Sequence, residues 1–151
     1  MNTAEMVAES NRIEGITRPP TPEEITEHDR FVHVGIVTIA ELVRFVKVYQ
    51  PNARLRTLPG LDVRVGNYHP PRGGAHIADQ LQALLDDVAA QKITPWAAHV
   101  QYENLHPFTD GNGRSGRALW YRMMVGYSMA HLGFLHAFYY QTLSGAGQLR
   151  S

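Results

Sequence analysis

The segment from His106 to Arg117, HPFTDGNGRSGR, constrains this 151-residue chain more than any other part of it. Pro107 disfavours helical backbone at the residue before it, so a preceding helix should end at His106. Gly111-Asn112-Gly113 permits a tight turn with left-handed backbone angles, and apolar residues at helical spacing follow it. The segment therefore predicts a loop between two helices, with a helix N-terminus directly after the turn.

The same loop carries groups that together can handle a phosphate and a nucleophile. His106 has an ordinary pKa near neutral, as a general base requires. The amides leading into a helix N-terminus attract anions, and Arg114 and Arg117, three apart, share one helix face. Asp110 offers a carboxylate of the kind that binds Mg²⁺ together with substrate phosphates. With Phe108 as the apolar anchor of the loop, the pattern predicts a Mg²⁺–nucleotide site beside a general base.

Each of these features taken alone is common in structural roles. A histidine before proline is usually a helix end, two arginines on a helix are usually solvated, and Gly-Asn-Gly is usually only a turn. The fixed order within twelve residues is what makes the pattern specific. It is not a P-loop, because no Gly-Lys-Ser/Thr closes it.

Composition narrows the class of protein further. The formal net charge is zero and the predicted pI near neutral, so no global field favours nucleic acid or an anionic membrane. The absence of cysteine excludes disulfides, thiolate metal sites and a cysteine nucleophile, and fits a reducing, cytoplasmic location. The first residues, Met1 to Met6, lack the features of a secretory signal.

The C-terminal part of the chain has no Asp, Glu, Lys or Arg between Met123 and Leu149. Its Gly126, Ser128 and His131 would be costly in lipid, so we predict a buried helix, or two broken near Gly133, rather than a membrane span. Residues 144–151 are expected to form a flexible tail.

The remaining pattern predicts one mostly helical domain over residues 1–151. Apolar spacing and helix start and stop signals predict five helices before the loop: 3–14, one from Thr21, 38–49, one ending near Ala90 and one from Thr94. Short alternating runs at 54–57 and 62–65 predict a small β-hairpin. The expected fold class is all-α with one hairpin.

At every specified position the loop matches HPFx(D/E)GN(G/K)RxxR, the signature of the Fic family, which this chain resembles. The resemblance implies transfer of AMP from ATP to a hydroxyl of a target protein. It also implies that His106 takes the hydroxyl proton, Asp110 holds Mg²⁺ and Asn112 orients the phosphate. The implied nucleotide-binding residues are Phe108, Gly111, Asn112, Gly113, Arg114 and Arg117.

The resemblance extends to two features outside this loop. Residues 54–66 would be the family's β-hairpin flap, whose edge can bind an extended target segment; a hairpin that merely covers the core is equally compatible. Ser10 to Gly15 matches the inhibitory pattern (S/T)xxxE(G/N) of one subclass, so Glu14 would pair with Arg117. Taken alone, that short pattern is often only a helix C-terminus.

Several alternatives stay open at the level of sequence. Gly113 stands where some family members with reversed, kinase-like nucleotide orientation have lysine, and therefore favours nucleotidyl transfer. The acceptor would be a Tyr, Thr or Ser hydroxyl, with self-modification and oligomer formation both possible. The alternative functions are removal of AMP from a target, use of another donor such as UTP or CDP-choline, and a toxin-like nucleotide-binding regulatory module with little turnover.

Overall fold

The computed structural model describes residues 2–126, and this part of the chain folds into six α-helices. The helices are α1 (Thr3–Ile13), α2 (Pro22–Val32), α3 (Ile39–Tyr49), α4 (Ala75–Ala89), α5 (Pro95–Leu105) and α6 (Asn112–Gly126). The only β-pairing within these residues is two isolated bridges. The all-α fold class predicted from the sequence is confirmed.

Threonine side chains define where three of the helices begin. The hydroxyls of Thr21, Thr38 and Thr94 each accept a hydrogen bond from the amide three residues later, at the first turns of α2, α3 and α5. At Thr21 the predicted capping box is complete, because the Glu24 side chain also accepts the Thr21 amide. These caps explain why the predicted helix starts agree with the structure.

Helix α6 lies at the centre of the packing. It contacts α1, α2, α3 and α5, while α4 packs against α3 and α5 on the far side. Leu119 of α6 and Phe45 of α3 are almost completely buried, as are four apolar residues of α4: Ile77, Leu81, Leu84 and Leu85. Because α5 and α6 both belong to this core, the loop that joins them is held at both ends.

The predicted β-hairpin is wrong. Leu55 forms an antiparallel bridge with Phe108 of the central loop instead of pairing with residues 62–65, and Val65 pairs only with Tyr68 across a tight turn. The Arg56 amide donates to the Pro107 carbonyl at 2.9 Å. Alternation of apolar and polar residues does not select the partner of a run. The partner of Leu55 is Phe108, in the loop between α5 and α6.

Two predictions concern residues that the structure does not describe. The uncharged segment after α6 and the tail at 144–151 lie outside residues 2–126, apart from the end of α6 itself. Among residues 2–126, no helix combines the length and the apolar character needed to cross a membrane.

Candidate active site

His106 lies directly after the last residue of α5 and caps that helix. Its backbone is left-handed, with φ 51° and ψ 63°, and its amide donates to the Tyr102 carbonyl at 2.9 Å. The ring Nδ1 is 3.0 Å from the Glu103 carbonyl oxygen. A carbonyl can only accept, so Nδ1 carries the proton and Nε2 of the neutral ring keeps its lone pair. The predicted helix end is confirmed.

The electrostatic surroundings keep this imidazole neutral. Partial burial lowers the pKa of His106, and the nearby charge of Arg56 lowers it further. The hydrogen bond to Glu103 and the negative charges of Glu14 and Asp110 act in the opposite direction, but the pKa stays below its ordinary value. A ring that is neutral near pH 7 can accept a proton from an incoming group.

Phe108 and Asn112 hold the loop in shape. The Phe108 ring is 1% exposed in the core, as expected of an anchor. The Asn112 amide makes two bonds to the backbone of Phe108: Oδ1 accepts its N–H at 2.9 Å and Nδ2 donates to its carbonyl at 2.8 Å. Both residues were expected to contact the nucleotide, and that remains a prediction. In the structure, their side chains hold the backbone of the loop.

The turn after the loop leads directly into α6. Gly111 has φ +80°, as the predicted tight turn requires, whereas Asn112 and Gly113 already belong to the helix. The carbonyl of Gly111 accepts both the amide and the hydroxyl of Ser115, at 3.0 and 2.8 Å. The first amides of an α-helix have no acceptor within the helix, and they lie at the positive end of its dipole. This turn is therefore a candidate anion-binding element.

Arg114 adds a buried positive charge to that element. The residue is 3% exposed, and its Nε and Nη1 have no hydrogen-bond acceptor within the described part of the chain. Its guanidinium carbon lies 5.6 Å from the centre of the Tyr49 ring. Burial lowers the pKa of Arg114, while the charges of Glu14 and Asp110 raise it. A buried guanidinium without acceptors is costly unless an anion binds to it.

Arg117, one turn further along α6, binds α1. Its Nε donates to the Ser10 hydroxyl at 2.9 Å, and its Nη2 donates to the Ser10 carbonyl at 3.0 Å and to Glu14 Oε2 at 2.7 Å. Both residues of the predicted inhibitory pattern therefore contact the arginine that the sequence paired with them.

The Glu14 carboxylate also lies against the first turn of α6. A methyl group added at Gly113 would collide with Glu14 Oε2 and come within 3.1 Å of Arg117 Nη1. A side chain at position 113 would thus exclude the carboxylate from its place. Glu14 thus places a negative charge supplied by the protein itself at the first turn of α6.

Two features fix Glu14 in this position. Gly15 ends α1 with φ +80°, and the amides of Gly15 and Ile16 bond back to the carbonyls of Arg12 and Asn11. The fully buried Asn11 side chain then donates to Glu24 Oε1 of α2 at 3.3 Å. Sequence reasoning missed Asn11, which lies within the inhibitory pattern but at a position the pattern leaves free.

Asp110 is the candidate metal ligand. It is exposed at the start of the turn, and its Oδ1 accepts the Gly111 amide at 2.7 Å. Within residues 2–126 no three carboxylate or histidine side chains converge into a metal cage. One carboxylate beside a phosphate site is nevertheless a suitable arrangement for Mg²⁺, which keeps several waters and binds substrate phosphates. The residues present therefore fit a nucleotide-bound Mg²⁺.

An all-helical domain with a neutral histidine and a cationic helix N-terminus on one loop is suited to transfer of a phosphorus-containing group. Residues 37–124 match the model of the Fic/DOC family, which covers more than half of the chain. The chain belongs to the Fic/DOC family, and this membership supports a transferase role in general. The matched range includes the whole central loop and begins after α1 and α2.

Proposed function

We propose that this protein transfers AMP from ATP to a hydroxyl group of a target protein, and that α1 restrains this activity. The observation that carries the proposal is Arg114, a buried guanidinium whose Nε and Nη1 have no acceptor within residues 2–126. It lies beside the first turn of α6, where an anion is favoured. A triphosphate would offset the cost of burying this charge.

The proposed reaction uses His106 as the general base. Its Nε2 takes the proton as the target hydroxyl attacks the α-phosphorus, and pyrophosphate leaves with the electron pair of the broken P–O bond. The α6 amides, Arg114 and Arg117 neutralise the charge on the phosphates. Asp110 would hold Mg²⁺, which supplies further charge neutralisation when bound. The main contribution of the protein is then to position and stabilise charge.

The proposed restraint follows from competition for the same positive charges. Glu14 forms an ion pair with Arg117 and lies against Gly113. The terminal phosphates of ATP, bound at the start of α6, would therefore have to displace the Glu14 carboxylate. Like charges do not share such a site. ATP would therefore bind weakly, or in an unproductive position, while α1 is docked.

The proposed target site is the segment after Arg56. Within residues 2–126, no backbone hydrogen bond involves residues 62–64, and Leu58 is 52% exposed. An extended target segment could bind these free backbone groups by strand addition. The strand addition predicted from the sequence is thus kept, but at a loop rather than at a hairpin edge.

The direct test is to incubate a cell lysate with the Glu14→Gly protein and isotopically labelled ATP, followed by mass spectrometry. The expected result is AMP on Tyr, Thr or Ser of a target or of the protein itself, and none with the Glu14→Gly/His106→Ala double variant. Labelling that does not depend on His106 contradicts the proposal. Parallel reactions with UTP and CDP-choline test the choice of donor.

A second candidate is removal of AMP from a modified target. It is favoured by the position of Glu14, whose charge acts directly on His106 and whose carboxylate could orient a water molecule there. A modified target obtained from the labelling reaction would be offered to the unmutated protein. Release of AMP that requires Glu14 would support this function, whereas ATP binding without transfer or release would indicate a regulatory module.

A further inference from the structure

The C-terminal end of α5 is bound by the segment that follows α3. The last four carbonyls of an α-helix have no donor within the helix. Here Asn104 receives the Tyr68 hydroxyl at 2.8 Å, Leu105 receives Arg56 Nη2 at 2.9 Å, and His106 receives Arg56 Nε at 2.7 Å. Arg56 is the residue that binds the backbone of the candidate base.

The same guanidinium also binds the loop on its other side. Arg56 Nη1 donates to the carbonyls of Leu61 and Pro71, at 3.0 and 2.8 Å, and the side chain is fully buried. Arg56 therefore donates to four backbone carbonyls around one planar guanidinium: those of Leu61, Pro71, Leu105 and His106. Only arginine presents donors in such a fixed fork, because lysine carries its donors on a single nitrogen.

The bonded backbone is in a conformation that needs support. His106 has φ 51° and ψ 63°, a left-handed geometry that is unfavourable for a residue with a Cβ. Such geometry persists where the surroundings over-determine it, and functional sites are common places for it. At His106 the carbonyl is held by Arg56, and this carbonyl orientation defines ψ of the residue.

We propose that Arg56 is a positioning residue for the reaction, because it holds the left-handed backbone of His106 and thereby directs the imidazole into the site. The kinetic part of this inference rests on the proposed AMP transfer. Arg56 is buried under the loop and acts only through His106. Its bonds to Leu61 and Pro71 also connect the base to the proposed target-binding segment.

Arg56→Lys tests this role, with Arg72→Lys as the matched control. Lysine keeps the positive charge but cannot bind carbonyls on both sides, whereas Arg72 is an exposed arginine in the same loop. Measured in the Glu14→Gly protein, Arg56→Lys should lower kcat about 10- to 100-fold and leave the KM for ATP within about twofold. Arg72→Lys should change neither. A kcat within twofold of the parent overturns the inference.

A second readout does not depend on catalysis. Imidazole ¹⁵N shifts should show His106 protonated at Nδ1 in the unmutated protein and a mixture of tautomers in Arg56→Lys, because the bond to Glu103 would loosen. An unchanged tautomer in the folded variant overturns the inference. If the parent transfers no AMP, the proposed function fails while this measurement still decides the role of Arg56.

A third measurement needs no variant, in case Arg56→Lys does not fold. In the unmutated protein, the Arg56 Nε–H should exchange with solvent at least about a hundredfold more slowly than the Nε–H of exposed Arg72, since it is buried and hydrogen-bonded. Comparable exchange rates at the two sites would mean that Arg56 does not hold His106, and would overturn the inference.

Discussion

Glu14 Oε2 lies 2.7 Å from Arg117 Nη2, although the two residues are 103 positions apart in the chain. The same guanidinium also donates to the hydroxyl and carbonyl of Ser10, so its three hydrogen bonds within residues 2–126 are all with the end of α1. Under the proposed function, an anionic ligand at the start of α6 would compete with this arrangement. The contact would then link the docking of α1 to the occupancy of the candidate active site.

Replacement of Glu14 by glycine should free Arg117 for phosphate. We expect ATP to bind about tenfold or more tightly, since loss of about 1.4 kcal/mol of competition corresponds to a factor of ten. AMP transfer should rise with it. Calorimetry with ATP in the presence and absence of Mg²⁺ measures the first effect, and α-phosphate label on protein measures the second. Glu9→Gly, on an exposed position of the same helix, serves as control. Equal ATP affinities of the Glu14 and Glu9 variants would contradict competition.

Removal of the imidazole should abolish transfer without unfolding the protein. His106→Ala is expected to lower the rate by about 10²- to 10⁴-fold, the usual contribution of a general base. His33→Ala removes an exposed histidine at the end of α2 and should leave the rate unchanged. Single-turnover labelling in the Glu14→Gly background measures both. Normal labelling by His106→Ala would eliminate this residue as the base.

Arg114→Met should separate stability from ligand binding. Since two of the buried guanidinium nitrogens have no acceptor within residues 2–126, methionine should leave Tm without nucleotide unchanged or higher. The rise in Tm on adding ATP should be lost, with affinity at least about tenfold lower. Arg44→Met, which removes an exposed arginine of α3, is the control. Thermal unfolding scans in the Glu14→Gly background suffice, and an undiminished ATP response would refute the assignment.

The effect of Gly113→Ala should depend on the residue at position 14. In the native background the added methyl displaces the flexible end of the Glu14 side chain and weakens its ion pair with Arg117, a loss of about 0–1 kcal/mol that offsets the gain in helix propensity. In the Glu14→Gly background this displacement does not occur, and the better helix propensity of alanine should add about 0.5–1 kcal/mol. Urea unfolding of the four proteins forms a double-mutant cycle. Additive effects would show that the two residues are not in contact.

His28 should make the protein less stable in mild acid. Burial lowers the pKa of this core histidine from 6.5 to about 4, against a small opposing effect of Asp29. Between these values the unfolded chain binds more protons, so unfolding free energy falls as the pH decreases and this loss levels off below about pH 4. From pH 7.5 to 5 the loss should be about 2 kcal/mol. Urea unfolding of the native protein and His28→Gln measures it; parallel pH profiles would contradict the prediction.

Local signals were sufficient for the helices and for the end of α5. Threonine caps, apolar spacing and Pro107 act within a few residues, so the sequence could predict the helix starts and the position of His106. The hairpin at 54–65 could not be predicted in the same way, because an extended run can bond to any suitable edge. Leu55 pairs with Phe108 through hydrogen bonds of the flanking residues, and Phe108 is distant in sequence and comes close only when α5 and α6 pack.

The same distinction between local sequence signals and tertiary contacts applies to the candidate active site. The sequence alone predicted which residues form the site: a candidate base, a carboxylate, a glycine turn and two arginines in one loop. It also predicted Glu14 as the partner of Arg117. Only the tertiary structure decided three features within residues 2–126: Arg114 is buried without acceptors for two of its nitrogens, Asn112 binds the backbone of Phe108, and Arg56 binds the carbonyl of His106. Local backbone preference depends on neighbouring residues, whereas burial and hydrogen-bond partners depend on helices that meet only in the folded chain.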